Sequence, residues 1–351
     1  MEFGMQFFPN VTPEEKSGAQ YFDECLRLAA LGDALGWGHV RTVEHYFLPY
    51  GGYSPNPIVF LTAVSQRTRA MRLVTGAVLP VFNHPLKIAG EFGMLDCISG
   101  GRVEAGFGRA FLPHEFARFG VSLDESRARF AEGMEQVRRL LEEENVTSTG
   151  RFHSFRDTTS LPRPVQKPRP RFWVAATVSP ESFIETGKAG HAVMAIPLAG
   201  KHMKELIDLY RNAWRAAGHP GNGRVMLAFH MFCHEMREAA WAAAREPMHR
   251  YLKALVAAAS DWSTVSSKDY AGYEKMVTEL SKETIESQVA SGAAWIGTPA
   301  EIADQIARYV DAVGGYDSAS LQVNFNTIGY AEAERSVRLF SEKVMPLFSG
   351  R

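Results

Sequence analysis

The chain has 351 residues, of which 46% are hydrophobic and 22% charged, a composition typical of a globular protein rather than a disordered one. Lys and Arg number 38 against 39 Asp and Glu, and the resulting net charge of -1 argues against a general binder of nucleic acids or of acidic membranes. There is no basic leader at the N-terminus, no apolar run long enough to span a membrane, and no CxxC spacing among the three cysteines, so we expect a cytoplasmic protein with reduced thiols.

Short apolar segments alternate with amphipathic ones along most of the chain. Four predicted strand and helix pairs come first, with strands at 3–8, 40–43, 73–79 and 103–107 and helices at 21–35, 58–67, 86–98 and 125–143. A proline-rich excursion at 145–170 interrupts this rhythm. The pattern then resumes with strands at 172–176, 192–196 and 225–232 and helices at 180–190, 204–217 and 238–259. A helix start at Thr298-Pro299, an eighth strand at 321–324 and a last amphipathic helix complete it.

Eight strands that alternate with helices predict an α/β fold, a (β/α)8 TIM barrel, in a single domain over residues 1–351. A doubly wound sheet is the alternative, but Gly106-Phe107-Gly108 lacks the third glycine of the dinucleotide signature, since position 111 is Phe. Two segments are predicted insertions: a surface excursion at 145–170 and a candidate lid at 260–292. The second combines aromatic residues with polar edges and follows the seventh strand, at the catalytic face; a static helix on the side of the barrel is its alternative.

In a parallel barrel, functional groups gather at the C-terminal ends of the strands. His45 follows the second strand and can transfer protons near neutral pH, with a purely structural hydrogen bond as the alternative. Gly108 and Arg109 follow the fourth strand and suit a phosphate, because glycine allows close approach and guanidinium binds phosphate through two N–H groups; a surface ion pair is the alternative. Ser179-Pro180 opens a helix whose amides could face an anion, although alone this is an ordinary N-cap.

A metal centre is a second class of site for the same barrel. His39, Glu44 and His45 lie close together in the sequence. Strand alternation, however, sends His39 and Glu44 to different settings, and neither an HxH element at a strand end nor an HExxH element occurs. We therefore predict no metal site, which leaves a metal-dependent hydrolase as the weaker hypothesis.

Five stretches, taken together and in order, resemble a known family. The first is Glu44-His45-Tyr46-Phe47, which is similar to the Glu-His-His-Phe element of bacterial luciferase α subunits and their flavin-dependent monooxygenase relatives. The others are Val78-Leu79-Pro80 with His84-Pro85, Leu95-Asp96 with Ser99-Gly100-Gly101-Arg102, Gly106 to Arg109 with Phe116 to Gly120, and Gly297-Thr298-Pro299 with Val344-Met345-Pro346. The resemblance covers nearly the whole chain and implies a luciferase-like barrel, commonly assembled as a homodimer.

The activity that this resemblance implies is an FMN-dependent monooxygenase. Reduced FMN (FMNH2) and O2 would form a flavin C4a-peroxide, which oxygenates an organic substrate in a dry pocket. Because no nicotinamide signature is present, a separate flavin reductase is the expected partner in a two-component system. An F420-dependent dehydrogenase of the same superfamily and a non-catalytic flavin-binding protein are the alternatives, and the Glu44-His45-Tyr46-Phe47 element favours the monooxygenase over both.

Individual positions carry the resemblance further. His45 resembles the histidine that supports the reactive flavin, and Arg109 the arginine that binds the FMN phosphate. Thr177 and Ser179 resemble hydroxyl groups at that phosphate, and Thr75-Gly76 lies where luciferases have a non-proline cis peptide beneath the flavin ring.

The resemblance also has departures. Gly108 replaces a reactive cysteine beside the flavin, and Ala176 replaces a glutamate of the phosphate loop, which counts against light emission from long-chain aldehydes. The predicted pocket walls are the aromatic residues Phe7, Phe47, Phe82 and Phe107.

Overall fold

The computed structural model describes residues 1–348, apart from the side chains of residues 274 and 276. Its strands are β1 (Glu2–Phe7), β2 (His39–Thr42), β3 (Arg72–Thr75), β4 (Val103–Phe107), β5 (Val146–Thr149), β6 (Ser154–Thr158), β7 (Arg171–Ala176), β8 (Ala192–Ala195), β9 (Val225–Cys233), β10 (Ala294–Gly297) and β11 (Ser318–Gln322). Eight of them close into a parallel ring in the order β1-β2-β3-β4-β7-β8-β9-β11, with β11 paired back to β1. The prediction of a (β/α)8 barrel is confirmed.

Helices surround the ring and connect its strands. They are α1 (Gly18–Ala34), α2 (Pro57–Ser65), α3 (Pro85–Ser99), α4 (Pro113–Phe119), α5 (Ser126–Glu142), α6 (Pro180–Lys188), α7 (Gly200–Ala216), α8 (Arg237–Ala259), α9 (Tyr273–Leu280), α10 (Ile285–Ser291), α11 (Pro299–Val313) and α12 (Tyr330–Lys343). Several begin as the sequence predicts: Thr298 caps α11 by accepting from the backbone N–H of Glu301, whose side chain bonds back to Thr298. Within the described part of the chain, no helix is both long and apolar enough to cross a membrane.

Three features lie outside the ring of eight strands. The segment at 145–170 contains an antiparallel hairpin formed by β5 and β6. The segment at 260–292 contains two short 3-10 helices, Ser260–Ser263 and Lys268–Tyr270, followed by α9 and α10. The third feature is β10, a four-residue strand that was not predicted from the sequence. It pairs in parallel with the C-terminal half of β9.

The outer core lies between the strands and the helices, and it contains two residues that were predicted in the barrel mouth. Phe7 packs against Phe60 of α2, with 5.8 Å between the ring centroids, and Phe107 packs against Phe92 of α3 at 5.5 Å. Successive side chains of a strand point to opposite faces, so the neighbour Gln6 faces the barrel interior while Phe7 faces the helices. The prediction that Phe7 and Phe107 wall the pocket is therefore wrong.

The barrel interior is filled in layers. At the N-terminal ends of the strands, Arg72 forms ion pairs with Glu2 and Glu104. The middle is a separate apolar cluster of Val74, Trp173, Ala192, Met194 and Met226.

Above this cluster, near the C-terminal ends, four polar residues stand side by side on adjacent strands, because Gln6 is the register partner of both Arg41 and Gln322, and Gln322 that of His230. We refer to Gln6, Arg41, His230 and Gln322 as the polar layer.

Candidate active site

Small residues line one side of the barrel mouth. A side-chain Cβ on Gly108 would lie 3.0 Å from the Cβ of Ala77 and 3.8 Å from that of Ala175, so even one added methyl group would crowd this surface. A Cβ on Gly76 would lie 1.9 Å from Nε of Arg41. The small residues at the ends of β3, β4 and β7 thus form a bed on which a flat ring could lie.

The resemblance placed a cis peptide at Thr75-Gly76, but the non-proline cis peptide joins Gly76 to Ala77, one bond later. Thr75 itself is fully buried. Its hydroxyl donates to the carbonyl of Gly106 and accepts from the Gly106 N–H, both at 2.8 Å. Its side chain therefore bridges β3 and β4, whereas Gly76 packs against the side chain of Arg41.

His45 lies at the mouth in a defined hydrogen bond. Its Nδ1 is 3.0 Å from Oε1 of Glu115, a fully buried carboxylate at the start of α4. The same oxygen accepts from the backbone N–H of Tyr46 at 2.9 Å. A carboxylate can only accept, so Nδ1 carries the proton of this bond, and Nε2 has no hydrogen bond to any described residue. His45 thus presents one free ring nitrogen in a fixed orientation.

Aromatic rings surround His45, but they are not the predicted ones. Phe8, Tyr50 and Phe111 have ring centroids 5.7, 5.5 and 6.0 Å from that of His45. Phe47 and Phe82 are grouped instead around Phe119 of α4, and Phe47 is 53% exposed. The structure therefore does not bring Phe47 and Phe82 to His45, in contrast to the prediction.

Glu44, next to His45, belongs to a second buried network. Its carboxylate accepts hydrogen bonds from Tyr46 Oη at 2.6 Å, Asn83 Nδ2 at 2.7 Å and the Leu79 N–H at 3.1 Å. Burial raises the pKa of Glu44 to about 7, although these three donors oppose the increase. The network ties the loop after β2 to the loop after β3 and so fixes the backbone that carries His45.

The residues predicted to bind the FMN phosphate follow the neighbouring strands β4 and β7. Arg109 has no carboxylate partner among the side chains that the structure describes: its Nη1 donates to the backbone carbonyl of Asp269 at 2.9 Å, and its guanidinium lies 4.3 Å from the centre of the Tyr270 ring. The Thr177 hydroxyl is 3.0 Å from that of Tyr273. Ser179 precedes α6 as its N-cap, without a side-chain capping bond. The arrangement offers a cation, two hydroxyl groups and the amides of a helix start to an anion.

The segment that contacts Arg109 and Thr177 is the predicted lid. Trp262 Nε1 donates to the Phe111 carbonyl at 2.9 Å, and Tyr270 Oη donates to the Ala110 carbonyl at 2.9 Å. The Asp269 carboxylate accepts from Ser126 Oγ at 3.2 Å. In this conformation the segment at 260–273 covers the groups that the resemblance assigns to the phosphate.

Sequence reasoning missed Glu115, and no local signal would have found it. It is 70 residues from His45 in the chain and occupies the first turn of α4, where an acidic residue is ordinary. Only the barrel brings the two together. As for metal ions, no group of three or more His, Cys, Asp or Glu side chains suited to one was found in the part of the chain that the structure describes.

Comparison with known proteins gives consistent results. A profile of the luciferase-like monooxygenase family matches residues 1–315. The crystal structure of the monooxygenase RslO1 from Streptomyces bottropensis is 43% identical, with a TM-score of 0.89 over 99% of this chain and 100% of that one. The oxygenase component of the flavin-dependent trigonelline monooxygenase of Acinetobacter baylyi is 27% identical over 99% of this chain and 96% of that protein.

Two further matches carry less weight, one because it is shorter and the other because its identity is lower. An uncharacterized protein of Sinorhizobium fredii is 36% identical over 212 residues, so that the chain spans 60% of its length. The oxygenating constituent of 3,6-diketocamphane monooxygenase from Pseudomonas putida, crystallised with FMN, is 20% identical with a TM-score of 0.81, covering 99% of this chain and 98% of that one. At that identity, the second match supports the fold alone.

Proposed function

Because the chain belongs to the family of luciferase-like monooxygenases, we propose that it uses reduced FMN and O2 to oxygenate an organic substrate. The observation that carries this proposal is the His45–Glu115 pair, which holds one free imidazole nitrogen in an aromatic setting at the mouth of the barrel. The relatives that have named activities support an oxygenase that depends on flavin.

The residues of the mouth fit FMN. Arg109, Thr177, Ser179 and the first amides of α6 would hold the phosphate, because they form a set of donors in which no described carboxylate is paired with Arg109. Gly108 would lie under the ring, since a Cβ there would crowd Ala77, and Gly76 leaves room for the side chain of Arg41 beside it. When bound, reduced FMN supplies the electrons that activate O2.

The chain's own contribution is to hold a proton and to exclude water. The Glu115 carboxylate fixes the His45 ring in the tautomer whose Nε2 is free to accept or donate a proton. Phe8, Tyr50 and Phe111 shield this ring from solvent. Proton transfer at Nε2 then occurs in a site from which bulk water is largely excluded.

We also propose that reduced flavin comes from a separate reductase and that the protein assembles as a homodimer. The first rests on the lack of a dinucleotide signature and on the words "oxygenase component" in the name of the Acinetobacter relative. The second rests on apolar side chains exposed on neighbouring helices, Val59 of α2 at 68% and Met94 of α3 at 56%. A second copy of the chain would cover both.

An oxygen-uptake assay tests the proposed function. Reduced FMN, regenerated by a flavin reductase, is supplied together with aldehydes, ketones or polycyclic aromatic compounds. We expect oxygen consumption to be coupled to product formation for at least one of these classes. Turnover with reduced F420 and no oxygen uptake would replace the proposal with the dehydrogenase alternative, and FMN binding without any turnover would replace it with a non-catalytic flavoprotein.

Glu115 is a positioning residue in this scheme, and replacing it should impair coupling more than flavin binding. Glu115→Ala should lower the rate of product formation by about 10-fold, which is the loss of one charge-assisted hydrogen bond of about 1.5 kcal/mol. Glu115→Gln should recover most of the rate, because its amide oxygen can still accept from His45 and from the Tyr46 N–H. A Gln variant as impaired as the Ala variant, or an FMN dissociation constant that rises in parallel, would contradict this role.

We further propose that the segment at 260–292 is a lid. It covers Arg109 and Thr177, so we expect an FMN phosphate bound at these residues to be enclosed beneath the segment and to hold it closed. Chymotrypsin should cut at Trp262 or Tyr270 in the ligand-free protein, and FMN at about 100 times its dissociation constant should slow this cleavage by up to roughly 100-fold. Cleavage in the β5–β6 hairpin serves as the control and should not change. Equal resistance of the lid with and without FMN would make it a static part of the scaffold.

A further inference from the structure

The polar layer contains a buried positive charge that is paired with no carboxylate in the described part of the chain. Arg41 is 8% exposed, and its Nη1 donates to the amide oxygen of Gln6 at 2.7 Å and its Nη2 to the carbonyl of Gly76 at 3.1 Å. Both acceptors are neutral. Nε is buried without a partner among the described residues. Burial lowers the pKa of Arg41 to about 10, and an electrostatic interaction with Tyr251 opposes this decrease. The side chain therefore remains charged near neutral pH.

Arg72 is an arginine of the same barrel whose charge is paired, and it serves as a comparison for Arg41. Arg72, on the neighbouring strand β3, lies at the N-terminal end of the barrel with 33% of its side chain exposed, and it is paired with the carboxylates of Glu2 and Glu104. A buried charge without such a partner strongly destabilises the folded state, and proteins retain one mainly at functional sites. Arg72 has carboxylate partners, as expected of a structural arginine, whereas the described partners of Arg41 are neutral, as expected of a group that binds a ligand.

The surroundings of Arg41 are also incompletely satisfied. Oε1 of Gln322 and Nε2 of His230, both in the polar layer, have no hydrogen-bond partner among the described side chains and backbone. Burial lowers the pKa of His230 to about 3, so it is neutral and adds no second positive charge. Arg41 lies directly beside the bed, since its Nε occupies the place where Gly76 lacks a Cβ. Unsatisfied polar groups thus border the surface proposed for the ring of FMN.

We propose that the polar layer is an anion-binding site in the barrel mouth, in which Arg41 recognises a planar, delocalised anion. Guanidinium suits such a ligand because it is flat, always charged near neutral pH and able to donate two parallel hydrogen bonds. This inference rests on the proposed function, because it concerns the same mouth. Two sources share the chemistry: the ring of reduced FMN, which carries a negative charge near neutral pH, and an acidic substrate with a carboxylate or an ionised phenol.

Arg41→Met is the test variant, and two binding measurements distinguish the sources. In the first, the dissociation constants of oxidised and reduced FMN are measured without oxygen. If the flavin is the anion, the wild type prefers reduced FMN and the variant loses this preference by about 30-fold or more, while oxidised FMN binds nearly as before. In the second, the protein loaded with oxidised FMN is titrated with benzoate and with benzamide. If the substrate is the anion, only the preference for benzoate is lost.

Arg72→Met is the matched control, because it removes an arginine one strand away whose charge is already paired. It should leave both preferences unchanged, and thermal unfolding of both variants separates loss of binding from loss of fold. Arg41→Gln provides the same comparison if the Met variant does not fold, since it removes the charge but keeps an amide donor. Either loss of preference supports the inference. Unchanged preferences in both measurements would overturn it, and a wild type that binds no FMN would overturn the proposed function itself.

Discussion

Replacing Arg109 with alanine is expected to weaken FMN binding by about 2–4 kcal/mol, or roughly 30-fold to 1000-fold in the dissociation constant. The reason is that, within the described part of the chain, the guanidinium of Arg109 contacts a backbone carbonyl and an aromatic ring but no carboxylate, so that its charge is available to a phosphate. The phosphate and the guanidinium would both lose water at this site, and removing one leaves the other unpaired. Titration of flavin fluorescence measures the effect.

Riboflavin provides the internal control for Arg109, because it has the ring of FMN without the phosphate. Its binding should be almost unaffected by Arg109→Ala. Arg118→Ala provides a second control, since Arg118 is an exposed arginine whose guanidinium lies over the ring of Phe47. Equal weakening of FMN and riboflavin would remove Arg109 from the phosphate site and point to a general loss of structure at the mouth.

Replacing His45 with alanine should separate oxygen consumption from product formation. General acid–base groups contribute about 10²–10⁴ in rate, so product formation should fall by a factor in that range while FMN binding is nearly unchanged. Reduced flavin would still react with O2, but more of the oxygen would leave as hydrogen peroxide. The ratio of product to hydrogen peroxide is therefore the informative measurement.

His84→Ala is a suitable comparison for His45. His84 also lies in a loop after a barrel strand, but its Nδ1 accepts from the Leu86 N–H and caps α3, and its ring packs against His153. It should reduce stability by about 1 kcal/mol, the usual loss on removing an N-cap, and leave the ratio of product to hydrogen peroxide intact. If His45→Ala also leaves that ratio intact, His45 has only a structural role.

The barrel could be predicted because its signal is periodic and repeated. Eight apolar strands alternate with amphipathic helices, and local residues such as Thr298 and Pro299 mark a helix start. The added strand β10 could not be predicted, because the four residues Ala294–Gly297 are too few to show a periodic pattern of apolar residues. The site could be predicted in part, since His45, Gly108 and Arg109 directly follow strands, where a parallel barrel gathers its functional groups.

Side-chain direction and long-range pairing could not be predicted in the same way. Phe7 and Phe107 are near strand ends, but a shift of one residue decides whether a side chain faces the mouth or the helices, and both face the helices. The roles proposed for Glu115 and Arg41 depend on contacts with residues that are distant in the sequence. Glu115 meets His45 across 70 residues of chain, and Arg41 and Arg72 look alike in the sequence although one is buried beside neutral groups and the other is paired with carboxylates.

Incorporation of labelled oxygen tests the central claim most directly. The protein, FMN, a flavin reductase and a substrate identified by oxygen uptake are incubated under ¹⁸O2, and the product is analysed by mass spectrometry. A flavin-dependent monooxygenase transfers one atom of O2 to the substrate and reduces the other to water, so we expect one ¹⁸O atom in each product molecule. A product that forms without the label, or that forms equally well in the absence of O2, would contradict the account.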